Sequence, residues 1–215
     1  MSNDLIQGSQ EWHAARLGKA TGSRISDVVA KPKSGSGPSA SRKNYHAQLV
    51  SERLTGVVQD GFKSAAMERG NEVEPEARSA YSFFSGLEIV EVGFCHHPII
   101  GMTGASPDGL VADMREGIVQ FKCPNTATHI DTLLGGSIPG AYITQMQWEM
   151  ACTQREWCDF VSYDNRMPES MRLFVKRIPR DDARIAELER EVIKFLAEVD
   201  ATMNELRARY EQVAV

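Results

Sequence analysis

Nowhere in this sequence does an apolar run approach the ~20 residues that a helix needs to cross a bilayer, so no membrane association is expected. There is no surplus of positive charge: 24 Lys and Arg stand against 29 Asp and Glu. A net charge of −5 argues against a protein that coats nucleic acid by bulk electrostatics. Cysteine is scarce, and Cys95, Cys123, Cys152 and Cys158 form no CxxC pair. In apolar or strand-like surroundings they read as buried thiols of a reducing compartment, ahead of a disulfide or a zinc site. The start, "MSNDLIQGSQEW", lacks a basic segment followed by an apolar one, so no secretory signal is read there and a cytoplasmic location is expected. Internal repeats are absent as well.

What is present suits one well-packed domain over residues 1–215, with 42% hydrophobic and 25% charged residues. Charge is unevenly spread. Residues 1–50 hold seven Lys/Arg against three Asp/Glu, and residues 51–164 hold seven against sixteen. A basic first quarter beside an acidic middle suits an anionic substrate next to carboxylates, although scatter of this size is ordinary in globular domains.

"KPKSGSGPSASRK" (31–43) is too rich in Gly, Ser and Pro to bury a core and reads as a mobile loop whose lysines could touch phosphates. Before it, "TGSRISDVVA" reads as a helix start with Ser23 as N-cap and Ile25, Val28 and Val29 behind it. "NYHAQLVSERLTG" is a helix closed by Gly56. "KSAAMERGNEVEPEARSAYSFFSG" is another, with Met67, Ala77, Tyr81 and Phe84 apolar, Gly86 as its stop, and a break expected near 73–75 because of Pro75. The period then changes: "LEIVEVGFC", "IIGMTGAS", "GLVADM" and "IVQFKC" read as short strands, the last two joined at "REG" as a hairpin. Helices follow near 126–134 and 140–152, then strands "WCDFVSYD" and "MRLFVKRI". A last helix, about 180–212, carries an apolar stripe from Ile185 to Tyr210 that is expected to pack on the sheet. Together these elements make an α/β layered fold.

The chemistry gathers in the hairpin. "TGASPDGL" places Asp108 in a turn that opens a strand, and twelve residues on the chain returns with Gln120, Phe121 and Lys122. Gln120 and Lys122, two apart on a strand, share a face, and an Asp on one strand can meet that pair across the ladder. An Asp before Gly is also an ordinary turn residue, whereas a lysine between Phe121 and Cys123 in a central strand calls for a purpose. In "RGNEVEPEAR", Glu72, Glu74 and Glu76 cluster near Pro75, and one of them suffices to complete a carboxylate set. Two carboxylates with a nearby lysine are what a metal-dependent phosphodiesterase needs: oxygen ligands for a hard cation, and a charge to stabilise the transition state.

The sequence resembles the phage lambda-type (YqaJ-like) alkaline exonucleases of the PD-(D/E)xK nuclease superfamily. The resemblance starts in "QGSQEWHAARLGKATGSRISDVVAKP" and continues through "RGNEVEPEAR", "SPDGL", "FKCP", "LGG", "AYITQMQWEM" and "YDNRM", covering roughly residues 7–167. It implies a restriction-endonuclease-like core with a central mixed β-sheet flanked by helices. It further implies Mg²⁺-dependent (Mn²⁺ as substitute) 5′-to-3′ digestion of double-stranded DNA from its ends to 5′-mononucleotides, leaving a 3′ tail. A ring-shaped homotrimer and a single-strand annealing protein as partner are implied too. By matching position, Glu74, Asp108, Gln120 and the Phe121 carbonyl are the implied metal ligands, Lys122 the catalytic lysine and Gln145 an active-site glutamine. Arg16, Ser23 and Ser106 are the implied 5′-phosphate pocket. Elementary chemistry is compatible with that pocket, since arginine binds phosphate through two charge-assisted hydrogen bonds and helix N-termini favour anions. An N-cap for Ser23 and a salt bridge for Arg16 are the plainer readings.

At one position the chain departs from the family: Gln120 stands where a glutamate is usual. The amide lacks the charge that anchors a cation or an activated water, a loss worth roughly 10² to 10³ or more in rate. An engineered Glu→Gln change, a degenerate copy retained for binding DNA ends, and an active enzyme whose carboxylate comes from elsewhere, such as Glu149, are the three readings. Impaired catalysis is the expectation, with a non-catalytic DNA-end-binding protein as the alternative. A Cas4- or RecB-type nuclease would need four cysteines placed around one iron–sulfur cluster, and these four do not read that way.

Overall fold

The computed structural model describes residues 5–32, 34–59, 65–112 and 116–211, without the side chains of residues 66 and 67. Helix α1 (Gln10–Arg16) is capped by Ser9, whose Oγ accepts from the Trp12 N–H at 3.2 Å. Strand β1 (Ala20–Thr21) leads into a 3₁₀ turn (Gly22–Arg24) and a single helical turn, α2 (Ile25–Val28). Ser23 is therefore not an N-cap. It lies inside the 3₁₀ turn, and the extended residue at its start is Thr21, still part of β1.

Helix α3 (Ala40–Thr55) begins inside the Gly/Ser/Pro stretch, because Ser39 Oγ accepts the Arg42 N–H at 3.1 Å and nucleates it earlier than composition suggests. Lys33 of that stretch lies outside the described residues. Gly56 closes α3 in the left-handed region at φ 68°, where glycine carries no steric cost. Helix α4 (Ala65–Ser85) passes through Pro75 without the expected break. Val73, Ala77 and Tyr81, on both sides of Pro75, are buried against one sheet face and hold it in place. That stripe runs in steps of four, which Phe84 does not continue, and Phe84 is exposed. The Met67 side chain lies outside the described residues.

Strands β2 (Ile89–Val90), β3 (Cys95–His96), β4 (Thr103–Ala105), β5 (Gly109–Val111) and β6 (Gly117–Lys122) follow. Next come α5 (Thr126–Leu133), α6 (Gly140–Thr153), β7 (Trp157–Tyr163), β8 (Leu173–Pro179) and α7 (Asp182–Tyr210). Arg115, in the expected turn, lies outside the described residues, but β5 and β6 pair antiparallel as a hairpin requires.

The main sheet has the order β2-β5-β6-β7-β8, with β6 and β7 parallel and the other neighbours antiparallel. A second sheet, β1-β4-β3, stands beside it and is not anticipated by the strand pattern. Strand β6 is covered on both faces, which explains its near-continuous apolar run. Val119 and Phe121 pack with α4, while Ile118 packs with Met146 and Met150 of α6. Gln120 and Lys122 share the Ile118 face and point toward α6. At Gly117 a Cβ would overlap the Trp157 ring, so the start of β6 requires glycine.

Helix α7 does not pack on the main sheet. Both faces of that sheet are taken, and Leu188, Val192, Phe195 and Val199 bury instead against Tyr45 and Leu49 of α3 and Trp148 of α6. Its stripe is buried from Ile185 to Met203, and Tyr210 is exposed.

Candidate active site

The hairpin register sets Gly109 opposite Val119, so Asp108 and Gln120 come next as neighbours. Asp108 Oδ2 accepts from the Phe121 backbone N–H at 2.7 Å and from the Gln120 amide nitrogen. Gln120, fully enclosed, accepts at its Oε1 from Gln145 Nε2 at 3.1 Å. Gln145 Nε2 also donates to Glu149 Oε1 at 2.7 Å. A hydrogen-bonded chain thus runs Asp108–Gln120–Gln145–Glu149 from the hairpin into α6, where Gln145 and Glu149 lie one turn apart on one helix face. Lys122 emerges on that side, its Nζ 4.9 Å from the centre of the Tyr142 ring.

Of the three clustered glutamates, Glu72 and Glu76 are exposed and Glu74 is half-buried. Arg78, four residues on, donates to Glu74 Oε1 at 3.0 Å and to the Asp108 carbonyl at 2.7 Å, tying α4 to the hairpin. Burial, and then the Asp108 charge, push the Glu74 carboxyl up to about 7 against the opposing pull of Arg78 and Lys122. Asp108 is also raised, by burial, with Lys122 the first of several groups opposing. Glu149 is raised well above the carboxylate range by burial and by Asp108, and its Oε2 has no hydrogen-bond partner.

These donors are all oxygen, and a cation would relieve the Glu74 carboxyl that the Asp108 charge raises; the set suits a hard divalent ion. Asp108, Glu74 and the Phe121 carbonyl are the residues that could hold it. Gln120 fits less directly. It turns its nitrogen, not its oxygen, toward Asp108, so serving as a ligand would require its amide to rotate. Among the described residues no group of three or more His, Cys, Asp or Glu gathers for a metal.

Of the residues expected to bind a 5′-phosphate, Ser106 and Arg16 meet at Trp12. Its Nε1 donates to Ser106 Oγ at 3.0 Å, and the Arg16 guanidinium lies 3.9 Å above its ring. Gly22 abuts Ala105 so closely that a Cβ there would come within 2.9 Å, which sets the 3₁₀ turn carrying exposed Ser23 beside the strand that leads to Ser106. No hydrogen bond or ion pair reaches the Arg16 side chain among the described residues. Burial lowers its pKa to about 10, with Tyr45 and Glu52 opposing, so it remains a cation at neutral pH.

"YDNRM" serves as a fastening. Asp164, buried at the end of β7, accepts from Thr126 Oγ1 at 2.7 Å, Arg166 Nε at 2.7 Å and Arg69 Nη2 at 3.2 Å. Both arginines also donate to the Pro124 carbonyl, two residues after Lys122.

Residues 11–156 match the YqaJ-like viral recombinase domain, about two-thirds of the chain. The chain belongs to that family. Among solved structures it is similar to the alkaline exonuclease LHK-Exo from Laribacter hongkongensis, at 50% identity over 96% of this chain and all of that one, with a TM-score of 0.88. The same figures hold for LHK-Exo in complex with dAMP. A phage-related exonuclease from Haemophilus somnus 129PT shares the fold at 18% identity, covering 87% of this chain and 96% of that one, with a TM-score of 0.66. No curated protein sequence matches. The recombinase fold is therefore the α/β exonuclease architecture that the motifs imply. Among the described residues no helix is long and apolar enough to cross a membrane.

Arg78 and Tyr142 are absent from the motif reading, yet each had a signal. Arg78 lies four residues after Glu74, and Tyr142 three before Gln145, both helical-neighbour spacings.

Proposed function

We propose that this recombinase-family chain is built as a Mg²⁺-dependent 5′-to-3′ exonuclease on double-stranded DNA ends, releasing 5′-mononucleotides, and that Gln120 impairs its cutting. The observation that carries this reading is the Asp108–Gln120 hydrogen bond, which sets beside Asp108 the position where the resembled family usually has a glutamate. Likeness to LHK-Exo, described as an alkaline exonuclease and crystallised with dAMP, supports a nucleotide product.

Asp108, Glu74 and the Phe121 carbonyl would hold the cation, Mg²⁺ with Mn²⁺ as substitute. When bound, the ion polarises the scissile phosphate and lowers the pKa of the attacking water. Lys122, on the Gln120 face, places a positive charge where negative charge grows on the phosphate. Gln145 orients the polar groups over the hairpin through its bond to Gln120. Arg16, Ser23 and Ser106 would take the terminal 5′-phosphate, for which an arginine stacked on Trp12 and in no ion pair among the described residues is prepared. Such an enzyme would leave a 3′ single-stranded tail for an annealing protein, work as a homotrimeric ring threaded by DNA, and act in the cytoplasm.

A second reading is favoured by the same amide: an end-binding protein that keeps the Arg16 pocket and has lost cleavage. Digestion of linear duplex by the Gln120→Glu form separates the two, because a mere end-binder stays inert after that change.

A further inference from the structure

Glu149 is only 1% exposed, yet its carboxylate meets no cation within ion-pair distance among the described residues. Oε1 accepts one hydrogen bond, from Gln145 at 2.7 Å, and buried Oε2 accepts none. A buried carboxylate with no cation beside it would cost several kcal/mol as a bare charge and holds a proton instead, which a cation entering the pocket would draw off. Its side chain packs against the 3₁₀ turn, where a Cβ at Gly22 would lie 3.7 Å from Glu149 Cγ. Its one polar connection leads, through Gln145 and Gln120, to Asp108.

We propose that Glu149 is a positioning residue for the divalent cation, supplying from α6, once the ion has displaced its proton to solvent, the negative charge that Gln120 no longer provides on β6. The inference rests on the nuclease reading above. Glu149 does not reach Asp108 itself. It acts by holding Gln145 with its nitrogen turned toward both partners, which fixes the Gln120 amide, and by adding its field to a pocket left with Asp108 and an arginine-paired Glu74.

Mg²⁺ affinity, read by calorimetry on the native chain and its variants, tests this. Glu149→Gln is expected to weaken Mg²⁺ binding about ten- to a hundredfold, the usual cost of removing an outer partner of a metal site. In the Gln120→Glu background, where the strand again carries its own charge, the same change is expected to cost only a few-fold. The metal-free Glu149→Gln protein should melt at or above the native temperature, which shows that any lost affinity is not lost folding. Gln145→Met, which severs the relay and leaves the charge, is expected to weaken Mg²⁺ binding as well, and decides the matter if Glu149→Gln fails to fold. An equal loss in both backgrounds, no loss in either, or no Mg²⁺ binding by the native chain overturns the proposal. If Gln120→Glu digests DNA while Glu149→Gln leaves Mg²⁺ affinity unchanged, the positioning role falls and the nuclease reading stands. If Gln120→Glu neither binds Mg²⁺ nor cuts, both fall.

Discussion

Gln120 gives its amide nitrogen to Asp108 Oδ2 and takes Gln145 at its oxygen, so the amide bridges the other two polar groups at the centre of the site. A glutamate in that position would face Asp108 with oxygen against oxygen. The amide therefore makes the metal-free site comfortable, and the same feature strips it of charge.

Restoring the acid should make that conflict measurable. Gln120→Glu is expected to destabilise the metal-free protein by about 1–3 kcal/mol, through a lost hydrogen bond and like-charge repulsion in a buried place. Added Mg²⁺ should recover much of the loss. Thermal unfolding with EDTA and with Mg²⁺ checks this, and unchanged melting in EDTA would contradict it.

Arg16 stacks on Trp12, whose indole bonds Ser106, and makes no ion pair among the described residues. In the Gln120→Glu background, Arg16→Ala is expected to cut processivity on 5′-phosphorylated ends more than it slows single-turnover cleavage. The arginine would hold the end between steps without taking part in bond breaking. Equal loss in both assays would count against that role.

Asp164 gives a pH signature of folding. Burial by itself would raise its carboxyl, but hydrogen bonds from Arg166 and Thr126 outweigh that and hold it well below the usual carboxylate range. A carboxyl depressed in the folded state adds stability above its unfolded pKa of about 4, and that stability is lost as pH falls toward the folded value. Asp164→Asn should therefore cost about 2–3 kcal/mol near pH 7, and the gap to the native protein should narrow below about pH 4. Urea unfolding at several pH values measures this; a gap that stays constant with pH would contradict it.

The hairpin at the site's centre is legible from "SPDG" and "FKCP", because strand alternation places Gln120 and Lys122 together and the short return brings Asp108 alongside. The α/β class is legible from the change of period near residue 87. Less could be read where packing decides. Pro75 signals a break locally, yet α4 continues through it with Val73, Ala77 and Tyr81 buried against the sheet. The stripe of α7 announces burial but not its partner, and the partner is α3 and α6, since α4 and α6 already cover the sheet. Two- and three-residue strands such as β1 and β3 leave no period to detect, so the second sheet is hidden. Side-chain pairings across elements, Arg78 to the Asp108 carbonyl and Trp12 to Ser106, are products of the fold.

The central claim is a nuclease site disabled at one atom pair, and a time course on linear duplex DNA with 5′-phosphate ends and Mg²⁺ tests it most directly. Run with the native chain and with Gln120→Glu, it should show 5′-mononucleotides released by the glutamate variant at a rate at least about a hundredfold above the native chain. No digestion by either, with binding to DNA ends intact in both, would contradict the claim and leave an end-binding protein on a nuclease fold.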